Sequence, residues 1–368
     1  MLDCAVVGAG VFGSWTALRL KQSGRSVALV EAFGPGNPKS SSGGSSRVIR
    51  MGYGADEIYT RWAMRSLAAW KELPGFFQHK GVLWTARRGH PYGEATLQTF
   101  RKLGLPHEVL SADDVRRRYP ALRFEEEIIG IFEPESGALL ANQAVAAVTR
   151  EAARIGVEVV EGTVVPFPEE GRLERVVTGD GRAIEAQEFI FACGPWLPKL
   201  FPQAVGRRIR VTRQPIFYFD APDIAMPVWI DFTDPRGAYT IPPLAGKSFK
   251  LALDQHGPPF DPDSGSRSVT AEETAAARAF LAERFPALRD APVAETEVCQ
   301  YESTSSGDFL LDRHPAMPNV WLVGGGSGHG FKHGPAVGEY MASLIGGGGG
   351  EPRFSWVGKL EVAARRVY

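Results

Sequence analysis

The sequence has few cysteines, no excess of charge of either sign and no long hydrophobic run at its start. Three cysteines in 368 residues, Cys4, Cys193 and Cys299, are too few and too scattered for a disulfide framework or a zinc site. The 41 Lys and Arg residues balance 42 Asp and Glu residues, which argues against nucleic acid or an anionic membrane as a partner. The first apolar run is short and enters a glycine loop, unlike a signal peptide or membrane anchor. We therefore expect a cytoplasmic protein without a metal site.

The chain begins with a dinucleotide-binding motif. A short apolar strand precedes Gly8, Gly10 and Gly13, which have the spacing GxGxxG, and Glu31 closes the next strand. Gly8 permits a tight turn, and Gly10 lets a pyrophosphate approach the N–H groups at a helix start. Gly13 lets that helix lie close to the sheet, and Glu31 can accept from ribose hydroxyls. An acid here, in place of an arginine, favours FAD or NAD over NADP.

A second glycine loop lies near the C-terminus, at residues 324–332. It also follows an apolar strand and precedes a helix. One helix start suits the pyrophosphate, and a second suits the negative charge that develops on a reduced flavin ring. A nicotinamide cofactor would not need the second loop, so the presence of two glycine loops favours FAD. The alternative is a solvent-exposed glycine linker.

The local patterns predict a discontinuous two-domain layout. Helices are predicted over residues 56–73, 142–155, 270–284 and 335–345 and twice within 94–118; strands are predicted over 81–85, 157–160, 189–194, 297–302 and 320–323 and repeatedly between 207 and 253. Parallel β-α-β patterns at both ends enclose antiparallel strands. We predict an α/β fold with a Rossmann-type FAD-binding domain (residues 1–79, 139–205 and 297–368). A mixed or antiparallel-sheet substrate domain (80–138 and 206–296) is inserted into it.

Five stretches of the sequence together resemble one enzyme family. They are residues 8–13, 46–54, 298–301, 308–312 and 326–332. With them, the chain resembles the monomeric sarcosine oxidases and their N-methyltryptophan and pipecolate oxidase relatives, within the D-amino-acid-oxidase-like flavoenzymes, over nearly its whole length. The resemblance implies a monomeric FAD enzyme that oxidises a secondary or primary amino acid to an imine while O2 is reduced to hydrogen peroxide.

Three other functions stay open. A flavin dehydrogenase would pass the electrons to a quinone or another carrier. A flavin-bound subunit without activity would have no use for the cationic residues that match the family. A NAD-linked enzyme would leave Cys299 and the second glycine loop without a purpose.

The resemblance assigns roles to individual residues. Cys299 stands where the family has a cysteine bonded to the 8α carbon of FAD. Lys250 stands where a lysine over the flavin N5 favours electron transfer to oxygen. Arg47 matches a residue beside the flavin, and Arg50 and Lys332 match the residues that hold the substrate carboxylate.

Two tyrosines and one aspartate complete the predicted substrate cavity. Tyr239 and Tyr301 match its aromatic lining. Asp254 departs from the family, because sarcosine oxidase has a histidine four residues after the lysine. A spacing of four in a strand puts Asp254 on the same face as Lys250. A carboxylate there favours a cationic amine and puts sarcosine itself in doubt as the substrate.

We therefore predict Lys250, Arg47, Tyr301 and Asp254 as catalytic residues and Arg50, Lys332 and Tyr239 as substrate-binding residues. The competing interpretation is structural, with Cys299 as a packing residue, the cations as surface charges and the tyrosines as core aromatics. His329, between glycines, is predicted to order its loop rather than to transfer protons. The predicted FAD-site residues are Gly8, Gly10, Val11, Phe12, Gly13, Glu31, Ala32, Ser42, Ser46, Arg47, Val164, Cys193, Gly194, Cys299, Gly326, Gly328, His329, Gly330, Phe331 and Lys332.

Overall fold

A computed structural model describes residues 1–124, 127–221 and 224–361. Residues 362–368 of the predicted FAD-binding domain and residues 125–126 and 222–223 of the predicted substrate domain lie outside the described residues. The strands are β1 Leu2–Val7, β2 Val27–Glu31, β3 Arg47–Ile49, β4 Phe77–His79, β5 Val82–Arg87, β6 Glu108–Ser111, β7 Ile128–Glu133, β8 Gly137–Leu139, β9 Glu158–Glu161, β10 Arg175–Val177, β11 Ala183–Phe191, β12 Ile209–Phe219, β13 Val228–Asp231, β14 Ala238–Ile241, β15 Phe249–Leu253, β16 Val293–Thr304, β17 Leu310–Arg313 and β18 Val320–Gly324.

The α-helices pack around these strands. They are α1 Val11–Gln22, α2 Glu57–Lys71, α3 Pro91–Leu103, α4 Ala112–Arg118, α5 Ala141–Arg154, α6 Leu197–Leu200, α7 Ala271–Arg284 and α8 Gly334–Ile345, with single 3-10 turns at Gly194–Trp196, Pro286–Leu288, Phe331–His333, Pro352–Phe354 and Trp356–Gly358. Within the described ranges, no helix combines the length and the apolar character that a bilayer crossing requires.

The first sheet is parallel at its centre. Its order is β17-β18-β11-β1-β2-β9, with β17 antiparallel at one edge and β10 antiparallel to β11. The central strands are apolar on both faces. Val6 and Leu29 belong to the core cluster that contains residues of α1, α5 and α8, whereas Ala5 and Val30 belong to a second cluster that contains Phe201. The carboxyl ends of β1, β2 and β18 meet at one edge, which is where open α/β sheets bind ligands.

The second sheet is mixed and consists mainly of antiparallel strands. Its order is β16-β12-β15-β14-β13-β5-β7-β6, and only β5 and β13 pair in parallel. Trp229, Phe249 and Phe285 pack together between this sheet and α7, with ring centroids 5.1 to 5.3 Å apart. A small third sheet, β3-β8-β4, holds the segment that begins with Arg47.

The predicted elements agree with the structure for the long helices and less well for short strands. Helices α2, α5, α7 and α8 begin and end within two residues of their predicted limits. The strand predicted over 189–194 is wrong in extent, because β11 runs from 183 to 191 and Gly194 opens a 3-10 turn. Strands β4, β6, β7 and β8, of three to six residues, had no clear periodicity. The domain limits stay a prediction, and the limit at residue 297 falls inside β16 of the second sheet.

Candidate active site

An elongated cavity of about 390 Å³ opens at the carboxyl edge of the first sheet. We call it the glycine-loop cavity, because both glycine loops line it. Its walls include Gly8, Gly10, Val11, Phe12, Glu31, Ala32, Ser42, Arg47, Val164, Cys193, Gly194, Cys299, Gly326, Gly328, Gly330 and Phe331. Residues far apart in the sequence therefore meet along one channel.

The first glycine loop has the geometry that a pyrophosphate needs. Gly8 has a φ of +99°, and a Cβ at Gly13 would lie 1.8 Å from the Gly8 carbonyl oxygen. The loop is thus closed to larger side chains. Gly10, Val11 and Phe12 at the start of α1 line the cavity, and the Val11 N–H donates to Ser42 Oγ at 3.1 Å. The Glu31 carboxylate accepts from the N–H groups of Ala9 and Phe33 at 2.6 and 2.9 Å, and burial raises its pKa. These residues fit a dinucleotide with an unphosphorylated ribose.

Arg47 and Cys299 meet in the wall of this cavity. Arg47 Nη2 lies 3.1 Å from Cys299 Sγ, and the same guanidinium donates to the carbonyl oxygens of Ser41 and Ser46 at 2.8 Å. These bonds fix the cation against the sulfur. A cation in this position stabilises negative charge on the sulfur.

Lys250 lies fully buried next to Arg47. Its Nζ donates to the Ser46 carbonyl oxygen at 2.8 Å and lies 5.7 Å from the Tyr239 ring centre. Burial, and secondly the charge of Arg47, lower the pKa of Lys250 to about 7. Its ammonium and amine forms are therefore both accessible near neutral pH.

A second cavity, of about 80 Å³, adjoins the first and shares Arg47, Cys299 and Tyr301 with it. We call it the inner cavity. Arg50 and Lys332 line it, and both are less than 5% exposed. The Arg50 guanidinium lies between two aromatic rings, 4.5 Å from the centre of Tyr53 and 4.4 Å from that of Trp84.

Two hydrogen bonds hold the Lys332 side chain in the wall of the inner cavity. Its Nζ donates to the Tyr53 hydroxyl at 2.8 Å and to the His329 carbonyl oxygen at 2.9 Å. Burial, followed by the charge of Arg50, holds the pKa of Lys332 well below its usual range. An anion that binds between the two cations would relieve this repulsion, so this end of the cavity suits a carboxylate.

The wall of the inner cavity also contains a carboxylate. The Tyr301 hydroxyl donates to Asp254 Oδ1 at 2.8 Å, and Tyr239 and Ala252 lie beside the pair. The inner cavity thus has cations at one place and an anion at another, an arrangement that suits a zwitterionic or dipolar ligand.

Four of the predicted FAD-site residues do not line the glycine-loop cavity. Gly13 lies behind the first loop, where it allows close packing, and Ser46 holds Lys250. His329 and Lys332 line the inner cavity instead. The roles predicted for the site residues stay predictions.

Sequence reasoning missed two acids near the cavities. Glu302 lines the glycine-loop cavity, accepts from the Ser41 hydroxyl at 2.8 Å, and has its pKa raised to about 7 by burial. Glu133 accepts from the N–H groups of Met51 and Gly52 at 2.7 and 3.1 Å and so fixes the segment after Arg50. The position of Glu302 directly after Tyr301 was the only available signal for it.

The comparison with known protein families decides the identity of the glycine-loop cavity. The family described as FAD dependent oxidoreductase matches residues 3–344 of this chain. The chain belongs to the FAD-dependent oxidoreductases. FAD is accordingly the cofactor of this enzyme, and the first loop and Glu31 remain its predicted binding residues.

Individual relatives of this FAD-dependent oxidoreductase support the branch predicted from the sequence. The chain is 31% identical to a monomeric sarcosine oxidase of Bacillus sp. (strain B-0618), over 93% of this chain and 91% of that protein. It is 26% identical to an N-methyl-L-tryptophan oxidase of Yersinia pestis (strain Pestoides F), over 92% and 94%. The resemblance to this branch is confirmed.

A solved structure shows the same fold. The L-proline dehydrogenase from P. horikoshii superimposes with a TM-score of 0.86 over 97% of this chain and 98% of that chain, at 22% identity. The α/β fold class with a FAD-binding domain is therefore confirmed. Among the residues that the structure describes, no group of three or more His, Cys, Asp or Glu side chains is placed to hold a metal ion.

Proposed function

We propose that this enzyme is an amine oxidase that converts a carboxylate-bearing secondary or primary amino acid to its imine and reduces O2 to hydrogen peroxide. The principal observation is the pair of buried cations, Arg50 and Lys332, in the cavity that adjoins Cys299. Burying two neighbouring cations is costly unless an anion joins them. The names of the relatives, sarcosine oxidase and N-methyl-L-tryptophan oxidase, support an amino acid as that anion.

Bound FAD would supply the acceptor for the two electrons and the hydrogen of the C–H bond next to nitrogen. The protein residues orient the substrate for that step. Arg50 offers a planar fork for two carboxylate oxygens, and Lys332 adds a second charged donor. With the carboxylate fixed, the rest of the substrate extends toward Tyr239, Tyr301 and Asp254 in a single orientation.

Asp254 and Tyr301 define the part of the substrate beyond the carboxylate. Their hydrogen bond leaves the Asp254 carboxylate on the cavity wall, where it attracts a cationic or hydrogen-bond-donating group. A substrate larger than sarcosine that bears a second donor besides its carboxylate contacts both the two cations and Asp254. The imine is hydrolysed after release.

Cys299 is proposed as the covalent attachment point of FAD, through its sulfur and the 8α carbon. The closeness of Arg47 to Sγ and the position of both in the glycine-loop cavity support this proposal. The buried Lys250, beside Arg47, is proposed to supply the positive charge that favours electron transfer to O2. The enzyme is further proposed to be monomeric, as the names of several relatives state.

Hydrogen peroxide formation tests this proposal. Purified holoenzyme is given a panel of N-methyl amino acids, cyclic imino acids and D-amino acids in air, and oxygen consumption and peroxide are measured together. The proposal expects equal amounts of both with at least one carboxylate-bearing amine and none with the matching amine that lacks the carboxylate. Flavin reduction without peroxide, together with turnover of a quinone dye, would instead establish the dehydrogenase alternative.

A further inference from the structure

A third cavity, of about 140 Å³, adjoins the inner cavity and is not used by the proposed reaction. We call it the outer cavity, because the exposed Pro235 lies in its wall. The residues that line both cavities are Phe232, Gly237, Asp254, Tyr301 and Gly328. The outer cavity is therefore within reach of a ligand that is bound in the inner cavity.

Two glycines lie at the boundary between these cavities, and each has a backbone conformation that favours glycine. The φ angles are +61° at Gly237 and +80° at Gly328. At Gly328 a Cβ would lie 2.8 Å from the Tyr301 ring carbon Cε2. Neither residue has a side chain, so neither narrows the boundary as a larger residue would.

Asp254 supplies the negative charge at this boundary. Its backbone N–H donates to the Gly237 carbonyl oxygen at 3.0 Å, and its Oδ1 accepts from the Tyr301 hydroxyl at 2.8 Å. These two bonds hold the carboxylate in the wall that the two cavities share. A ligand group in either cavity can therefore meet this charge.

The charged side chains around the outer cavity favour a cation. Apart from its histidines, the described wall has two acids, Asp234 and Asp254, and one base, Arg236. Arg236 Nε donates to Asp234 Oδ1 at 2.8 Å, and Arg236 Nη2 lies 3.1 Å from Glu283 Oε2. The carboxylates thus outnumber the guanidinium, so the charge at this cavity is negative and would repel an anion.

Aromatic rings form much of the remaining wall. The ring centres of His256 and Tyr301 are 5.8 Å apart, and those of His90 and Phe232 are 6.3 Å apart. Aromatic faces attract cations and also cover the methylene groups that carry a charged end group. An alkyl chain that ends in an ammonium group therefore suits this wall.

We propose that the outer cavity binds a cationic group at the end of the substrate's side chain, and that the substrates are amino acids with a long basic side chain, of the ornithine or lysine type. The proposal rests on the proposed function, because it takes Arg50 and Lys332 as the site of the substrate carboxylate. His256 is then a specificity-determining residue, since it lies in the wall that faces the end of the side chain.

The order of the residues along the two cavities sets the shape of this substrate. Arg50 and Lys332 line the inner cavity but not the outer one, Asp254 lines both, and His256 lines the outer one but not the inner one. A ligand that meets all of them has a carboxylate at one end and a positive charge several carbon atoms away. Sarcosine lacks that second charged group.

Carboxylates with and without a terminal ammonium group test the outer cavity. Purified holoenzyme is titrated with 5-aminopentanoate and 6-aminohexanoate and with the uncharged pentanoate and hexanoate, and the change of the flavin spectrum gives each Kd. The ammonium group is expected to lower the Kd about tenfold at these lengths, and less in 3-aminopropanoate compared with propanoate. Equal Kd values for the charged and uncharged ligands at both longer lengths would overturn the proposal.

A pair of charge variants at His256 locates the effect. His256→Lys adds a cation to the outer cavity and is expected to reduce the advantage of 6-aminohexanoate over hexanoate about tenfold, whereas His256→Glu should increase it. His79→Lys adds the same charge at an exposed histidine that lines neither cavity, and should match wild type. If both His256 variants kept the wild-type ratio of the two Kd values, the cation would not bind in the outer cavity.

Substrate turnover and one further variant separate this proposal from the proposed function. Lysine should be oxidised with a kcat/KM about tenfold or more above that of norleucine, which has a side chain of similar length without the charge. Loss of acetate binding in Lys332→Met, together with equal binding of charged and uncharged long carboxylates to wild type, would remove the outer site alone. If Lys332→Met bound acetate as wild type does, the carboxylate site of the proposed function would fail instead.

Discussion

The guanidinium of Arg47 lies against the sulfur of Cys299, with Nη2 3.1 Å from Sγ. Arg47 comes from the small third sheet and Cys299 from the edge strand of the second sheet, and the two residues are 252 positions apart in the sequence. Folding thus places a fixed positive charge beside a cysteine that lines the glycine-loop cavity. This contact is the structural basis for expecting a covalent flavin.

Replacement of Cys299 by alanine is expected to release the flavin. Acid precipitation of wild type should leave the yellow colour in the pellet, whereas Cys299→Ala should leave it in the supernatant. Cys193→Ala, which changes another cysteine of the same cavity, is the control and should keep the colour in the pellet. Arg47→Met should slow attachment by about tenfold or more, since it removes a charge-assisted contact to the sulfur. A colourless wild-type pellet would contradict covalent attachment.

Lys332→Met is expected to weaken carboxylate binding without loss of flavin. A hydrogen bond from a charged donor contributes roughly 1.5 to 3 kcal/mol, so the Kd of acetate should rise about 10- to 100-fold. Titration of the flavin spectrum measures this Kd. Lys71→Met, which alters an exposed lysine paired with Glu135, should leave it unchanged. An unaltered Kd in Lys332→Met would refute the assignment.

Asp254→Asn is expected to change substrate preference rather than flavin chemistry. The amide still accepts from the Tyr301 hydroxyl, but the negative charge is gone. The KM for an amino acid with a second, cationic amine should rise about tenfold, and that for its uncharged analogue should hardly change. Steady-state kinetics with a matched pair of substrates checks this. Equal effects on both substrates would show that Asp254 has only a structural part.

The sequence was sufficient for the features that depend on local spacing. Gly8, Gly10, Gly13 and Glu31 form a motif within one β-α-β unit, and each residue has its geometric reason inside that unit. Long amphipathic helices with capping residues were predicted for the same reason, as in α7 after Thr270. Cys299 and the cations followed from the family resemblance, not from spacing.

The parts of the site that the sequence did not reveal depend on contacts between residues that lie far apart in the sequence. Tyr53 and His333 are 280 positions apart, and Ser41 and Glu302 are 261 apart. A histidine after Lys332 or a glutamate after Tyr301 has no periodic pattern that predicts its partner. The packing of the segment before α2 against the second glycine loop, and of the segment before β3 against β16, brings these groups together.

A buried ion pair between the second sheet and α7 is expected to dominate local stability. Arg284 Nε lies 3.1 Å from Asp231 Oδ2, and the two side chains are 4% and 0% exposed. Asp231 also accepts from the N–H and the hydroxyl of Thr233. Asp231→Ala removes the buried carboxylate beside Arg284 and leaves Glu283, 45% exposed and 3.4 Å from Nη1, as its acidic neighbour, which should cost about 3 to 5 kcal/mol.

An exposed ion pair provides the matched control for that loss. The side chains of Glu158 and Arg182 are each 51% exposed, so Glu158→Ala should cost about 1 kcal/mol or less. Thermal unfolding of the two holoenzyme variants, measured side by side, checks the difference. Equal Tm values would show that the buried pair gives no more than the surface pair.

The reaction of the reduced flavin with O2 is expected to slow as the pH rises through about 7. Lys250 has its pKa lowered to about 7, so its ammonium is present below that pH and lost above it. Lys250→Met should be slower by about a hundredfold at low pH, because it removes a buried charge that stabilises the developing negative charge. Its rate should no longer vary with pH in this window.

Lys250→Arg separates the charge from its titration. A guanidinium keeps its proton at every pH used, so this variant should retain a fast reaction with O2 above pH 7, where wild type slows. Rapid mixing of anaerobically reduced enzyme with oxygenated buffer measures the rate, and anaerobic reduction by substrate serves as the control. If Lys250→Met slowed reduction as much as reoxidation, Lys250 would act on the shape of the site instead of on oxygen.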